Sequence, residues 1–218
     1  MANDYATIVE LKAELQKTDS DDDASLQRVL DAAATHIDRY CNRPDGFVAN
    51  STASARYYPG SGGKYQRIDE CIAVTAVAVK DAAFDDEDAY ETWTLGTIGS
   101  TTEADVFPAT GSEKWPEYNR TPYTLLVIGA NGDYTLFPHD IYGRPTVQVT
   151  AKWGYAETVP DDIKTATIMQ AARWWKRLQI AMADATGGGE LGVLLYRQRL
   201  DPDIAAILDD GGYRRLVV

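Results

Sequence analysis

A chain of 218 residues with a formal net charge of −12 repels nucleic-acid phosphates, which argues against sequence-specific DNA binding but does not exclude DNA sliding past a like-charged wall. No run approaches the ~20 apolar residues that a bilayer crossing needs, and the opening MANDYATIVELKAELQ lacks the charged start and apolar core of a signal peptide, so synthesis and residence in a cytosol is the expectation. The length suits one domain with elaborations, or a domain and a half.

Thr7 and Glu10 have the spacing of a capping box, and Ile8, Leu11 and Leu15 follow at helical intervals, predicting a short helix over about Thr7 to Gln16. The acidic run KTDSDDDAS breaks it and favours the N-terminal dipole of a second helix. There Leu26, Val29, Leu30, Ala33, Ile37, Tyr40 and Cys41 form one stripe, with Arg28, Thr35 and Arg39 opposite. Asn42, Pro44, Asp45 and Gly46 end it.

From Ser51 to Trp153 the period drops to two and β-branched and aromatic residues prevail. The predicted strands are Ala53 to Tyr58, Tyr65 to Ile68, Ile72 to Lys80, Tyr90 to Leu95, Tyr123 to Ile128 and Thr146 to Trp153. PGSGGK, DDEDA, NGD and YGRP supply the turns. The stretch from Gly96 to Pro122 is polar and poorly patterned, and reads as an extended surface loop.

Pro160, Asp161 and Asp162 suit the first turn of a long helix. Its apolar sector comprises Ile163, Thr167, Ile168, Ala171, Trp174, Trp175, Leu178 and Met182, with Arg173, Lys176 and Arg177 on the other side. Gly187, Gly188 and Gly189 read as its stop and as a hinge. ELGVLLYRQRL, a short helix DPDIAAILDD and GGYRRLVV follow, a tail with too little apolar surface to fold alone. The fold class expected is α+β: a small helical bundle of N- and C-terminal helices, a β-rich insertion between them, and an extended C-terminal tail. The expected divisions are residues 1–48, 49–154 with the loop at about 96–122, 155–186, and 187–218.

Chemistry finds no foothold. Asp19, Asp21 and Asp23 imitate the start of a calcium loop, but Ala24 and Leu30 stand where Gly and a carboxylate are required. The segment GSGGK lacks phosphate-loop spacing, and Tyr65 follows Lys64 where Ser or Thr belongs. No G-x-S-x-G elbow occurs, and having only two histidines, His36 and His139, argues against a histidine-based metal site or a conventional triad. Cys41 and Cys71 match neither a CxxC pair nor a zinc ribbon, and read as small apolar side chains. No catalytic residue, metal or cofactor is expected.

The aromatics point to interaction instead. Trp174 and Trp175 are adjacent on a helix, so one enters the core while its neighbour sits at a boundary with the insertion or a partner. With Arg173, Lys176 and Arg177 they are candidate interface residues. In the tail, Leu194, Leu195, Tyr196, Arg197, Arg199, Ile204, Ile207, Leu208, Tyr213, Arg214, Arg215 and Leu216 form a candidate docking segment, since its apolar residues otherwise lack a place to bury. A competing reading is a carbohydrate- or ligand-binding β module with helical flanks, resting on Trp93, Trp115, Tyr118 and Tyr134.

Three segments carry a family resemblance. ATIVELKAELQ with DSDDDASLQRVLDAAATHIDRYCNR resembles the first two helices of the head–tail connector (adaptor, or head-completion) proteins of long-tailed bacteriophages. VQVTAKWGYAETVPDDIKTATIMQAARWW is similar to that family's last strand, Gly-aromatic turn and Val-Pro helix start. DPDIAAILDDGGYRRLVV is similar to its ending. Together they cover the two ends of the chain, whereas the region from Ala82 to Tyr142 is longer than in compact members.

The resemblance implies a structural virion protein rather than an enzyme. It would form a homo-oligomeric, dodecameric ring beneath the portal protein at the capsid vertex, without a cofactor and without a membrane. The ring would extend the DNA channel, letting genomic DNA pass without specific binding, and would meet the next neck or tail component, a stopper or tail terminator. The tail after Gly189 would reach the portal or a neighbouring subunit.

Overall fold

The computed structural model describes residues 4–80, 90–97, 103–139, 144–184 and 200–215. The fold is α+β, in two compact units: a helical unit from Met1–Gly46 and Val159–Val218, and a β unit from Phe47–Thr158.

In the helical unit, α1 (Ile8–Leu15) starts as the sequence dictates. The Glu10 amide donates to the Thr7 hydroxyl at 3.3 Å, and the Thr7 amide donates to the Glu10 carboxylate at 2.8 Å. Both orphan donors of the first turn are thereby satisfied. The second helix, α2 (Asp23–Tyr40), buries Leu26, Leu30, Ala33, Ala34 and Ile37. Their i, i+4 and i+7 spacing presents one face to α3 (Asp161–Asp184). The shared core is Leu11, Leu26, Leu30, Ala33, Ala171 and Trp175, with Ile8, Leu15, Val29, Ile168 and Trp174 packed at its margin. The last helix, α4 (Pro202–Asp210), is capped by Asp201, whose side chain accepts from the Asp203 amide, with proline in the first turn.

The β unit is one antiparallel sheet. Its strands are β1 (Ser54–Tyr58), β2 (Tyr65–Val79), β3 (Glu91–Trp93), β4 (Val106–Ser112), β5 (Trp115–Glu117), β6 (Tyr123–Ile128) and β7 (Val147–Trp153). The order is β1-β7-β2-β6-β4-β5, with β3 paired to β2. In β7 the residues Val147, Val149, Ala151 and Trp153 are all buried while those between are half-buried, the period-two pattern of a strand with one core face. These four pack with Ile68, Cys71, Val77, Val79, Trp93, Val106, Leu126 and Phe137.

Two expectations are corrected. The strands predicted at Tyr65 to Ile68 and Ile72 to Lys80 are one 15-residue strand, β2. Asp69 and Glu70 look like a break, yet register shifts near Cys71 and between Val74 and Ala76 let the strand continue while its pairing passes from β6 to β7. The second correction concerns Gly96 to Pro122, which contains the hairpin β4–β5. Pro108, Gly111 and Pro116 hide the alternation there, but Val106 and Ala109 are fully buried, and β4 pairs with β6 from Val106 to Ala109.

Candidate interaction surfaces

Adjacent tryptophans on α3 divide their roles. Trp175 is only 5% exposed, and the Lys17 ammonium lies 5.8 Å from its ring centroid. Trp174 is half-buried and meets the His36 ring edge-on at 5.5 Å. Along the α2–α3 seam a groove of about 360 Å³ is lined by Asp31, Ala32, Thr35, His36, Arg39 and Trp174. The His36 Nδ1 is buried without a hydrogen-bond partner. Burial, and then the nearby Arg39 guanidinium, push the imidazole pKa below its ordinary value, favouring the neutral ring.

The basic residues of α3 also separate. Arg173 is tied to α4 by ion pairs with Asp201 and with Asp203, the latter at 3.1 Å. Lys176 and Arg177 are exposed, and Leu178 keeps 38% of its surface in solvent. No periodic signal joins Arg173 to two aspartates about thirty residues later, so sequence reasoning missed this clasp.

For residues 200–215 the free-tail expectation does not hold, because they pack into their own helical unit. Ile204 and Leu208 are fully buried and Tyr213 is 8% exposed. Placed four residues apart, the two aliphatics point the same way and supply the apolar burial the tail seemed to lack. The Tyr213 hydroxyl donates to Asp162 at 2.9 Å, and Arg43 donates to the Tyr213 carbonyl at 2.7 Å. Tyr40 donates to Asp209 at 2.8 Å, and the Arg215 amide donates to the Cys41 carbonyl at 2.9 Å. Ile207 is half-buried and Arg214 exposed, its guanidinium 5.2 Å from the Tyr40 ring centroid. Leu194, Leu195, Tyr196, Arg197, Arg199, Leu216 and the glycines Gly187, Gly188 and Gly189 lie outside the described residues.

The β unit bears on the ligand-binding reading. Trp93 is 3% exposed and stacks between Tyr134, at 4.3 Å and 15°, and Phe137, at 5.3 Å. Tyr118 packs edge-on against Phe107. Three of the four aromatics on which a sugar platform would rest are therefore engaged in packing, and Trp115, 73% exposed at the start of β5, stands apart. Both thiols are buried, which pushes Cys41 up to about 11 and Cys71 up to about 12, so neither is a ready nucleophile. Among the described residues no cluster of His, Cys, Asp and Glu is placed to hold a metal. No described helix is long and apolar enough to cross a membrane.

Residues 5–107, a little under half of the chain, match the model of the phage gp6-like head-tail connector protein family. No curated protein matches the chain. Among solved structures it is similar to a chain in the neck of an empty gene transfer agent particle computed with C6 symmetry. That likeness has a TM-score of 0.50 at 14% identity and covers 98% of this chain and 91% of the other. A chain in the virion of a native gene transfer agent particle aligns at a TM-score of 0.47 and 15% identity, over 98% of this chain and 91% of that one.

Proposed function

We propose that this chain is a structural adaptor of the virion neck, joining head to tail as a ring of identical copies beneath the portal. The observation that carries the reading is the match of residues 5–107 to the head-tail connector family. The shared fold with a chain from a neck computed with C6 symmetry supports it. A dodecamer suits such symmetry, with two subunits per repeat. A cyclic ring needs two different faces on each subunit, one meeting the other on the next copy. The net charge of −12 suits a channel wall that must not grip DNA. The protein acts by assembly, without turnover or cofactor.

Docking to the portal or a neighbouring subunit is proposed for Leu194, Leu195, Tyr196, Arg197 and Arg199. Their apolar and Tyr-Arg character suits an interface anchor. The next neck or tail component would meet the opposite end of the ring. Quantitative mass spectrometry of purified particles tests the whole reading. Equal copy number with the portal is the expected result, and absence from the particle would overturn it.

A further inference from the structure

We propose that the α2–α3 groove is a subunit–subunit docking site, and that its occupant is the acidic turn before α2 of a second copy of this chain. The inference rests on the ring reading above and names the contact that would close it.

The groove has an apolar lining and a basic rim. Trp174 and Ala32 supply the apolar lining, and Arg39 stands exposed at one margin. On α3, Arg177 and Leu178 follow Trp174 by three and four residues and share its side of the helix. Both are exposed. Asp31 is the one carboxylate lining the groove, and it already accepts from Gln27 at 2.7 Å. Two guanidiniums thus face outward, beside a tryptophan and a histidine whose Nδ1 lacks a partner.

The opposite charge lies at the other end of the same helix. Asp19, Asp21, Asp22 and Asp23 precede or open α2. Lys12 pairs with Asp23, and Lys17 reaches Asp22 at 2.7 Å and Asp19 at 3.4 Å. Four carboxylates against two ammoniums leave an acidic lobe, with Asp19 and Asp21 exposed. From Asp23 the rigid helix rises ~12 Å to Asp31, the nearest groove residue, and ~24 Å to Arg39, so lobe and groove do not meet within one chain. One body with complementary patches at its two ends provides the head-to-tail contact from which cyclic rings are built.

Charge reversal in assembling particles tests this, with copies per particle as the readout. One variant carries Arg39→Glu and Arg177→Glu, the other Asp19→Lys and Asp21→Lys. Every altered side chain is exposed, and a thermal melt against the parent verifies folding. Each variant alone should lower occupancy of the neck by ~10-fold or more, the scale of losing close interfacial charge pairs. Co-expressing the two should restore it, because in an alternating ring the intact groove meets the intact lobe at one contact and the reversed groove meets the reversed lobe at the next. Normal occupancy with either variant alone, or no rescue on co-expression, would overturn the proposal. A milder pair, Arg39→Gln with Arg177→Gln and Asp19→Asn with Asp21→Asn, replaces any reversal that melts early. It should show the same direction of loss for each variant alone, and full occupancy would overturn the proposal. If the parent chain is itself missing from particles, the neck reading fails and not this contact alone.

Discussion

Gly154 shows how one backbone position can hold a unit together. It adopts φ +142°, and a Cβ there would stand 2.3 Å from the Ala49 Cα, inside any permissible contact. The close approach serves the backbone bonds from Ala49 to Ala156 and from Asn50 to Trp153, both 2.8 Å, which tie the start of the β unit to its last strand. Gly154→Ala should destabilise the β unit by about 1–3 kcal/mol from backbone strain alone, and by more if the segment around Ala49 shifts. Urea unfolding followed at the tryptophans reads this, and an unchanged midpoint would contradict the strain argument. Glu10 illustrates a different kind of residue. The Lys164 ammonium and then the Thr7 donors hold its carboxyl down at about 2, against an ordinary 4.5. A depressed folded-state pKa means its contribution is present above pH ~4.5 and is lost as pH falls toward ~2. Glu10→Gln should therefore flatten the acid limb of the helical unit's stability curve between those values. The Glu10 side chain keeps 34% of its surface in solvent, so screening keeps the effect small. Parallel curves for parent and variant across that window would refute the assignment.

At the scale of elements, α4 is the decisive part of the helical unit. Ile204 and Leu208 lose all exposure, and Arg173, Tyr40 and Asp162 hold the segment around them. Leu208→Ala should cost the helical unit about 2–5 kcal/mol through lost burial and the cavity left behind. Removing residues 190–218 altogether should unfold or loosen α2 and α3, not merely abolish docking. Circular dichroism of the truncated chain, with thermal unfolding, distinguishes the two: a parent-like melt would return α4 to the status of a free tail. The element pattern explains what could be seen in advance. The capping box at Thr7 and Glu10, the stripe on α2 and the strands at Tyr123 to Ile128 and Thr146 to Trp153 were legible because local spacing alone sets them. The α4 helix was legible too, from Asp201 and Pro202, but its partners were not. They come from contacts such as Asp162 with Tyr213 and Arg173 with Asp201, whose residues are far apart in sequence and share no period. The hairpin β4–β5 was hidden because Pro108, Gly111 and Pro116 imitate loop composition while the neighbouring strand β6 supplies the pairing. The groove was missed for a similar reason, since His36 and Trp174 meet only when α2 and α3 pack.

At the scale of the whole molecule, charge separates an adaptor that surrounds DNA from one that holds it. The excess of 33 acidic over 21 basic residues gives the net −12, and the free end of the groove rim offers only a few exposed guanidiniums. A protein neutralising six or more phosphates would need a basic stripe to release that many counterions. Among the basic residues of the described chain, Arg56, Arg67, Arg120 and Arg173 each face a carboxylate of their own, which weakens their pull on phosphates. The expected outcome is therefore no saturable binding of a duplex at ~150 mM salt, read by fluorescence anisotropy, and repulsion growing as the Debye length lengthens at lower salt. Binding that strengthens steeply on dilution of salt would reveal counterion release, and would make the proposed channel wall a DNA clamp. Repulsion at every salt concentration would instead fit a wall past which a packaged duplex can move in either direction without being held.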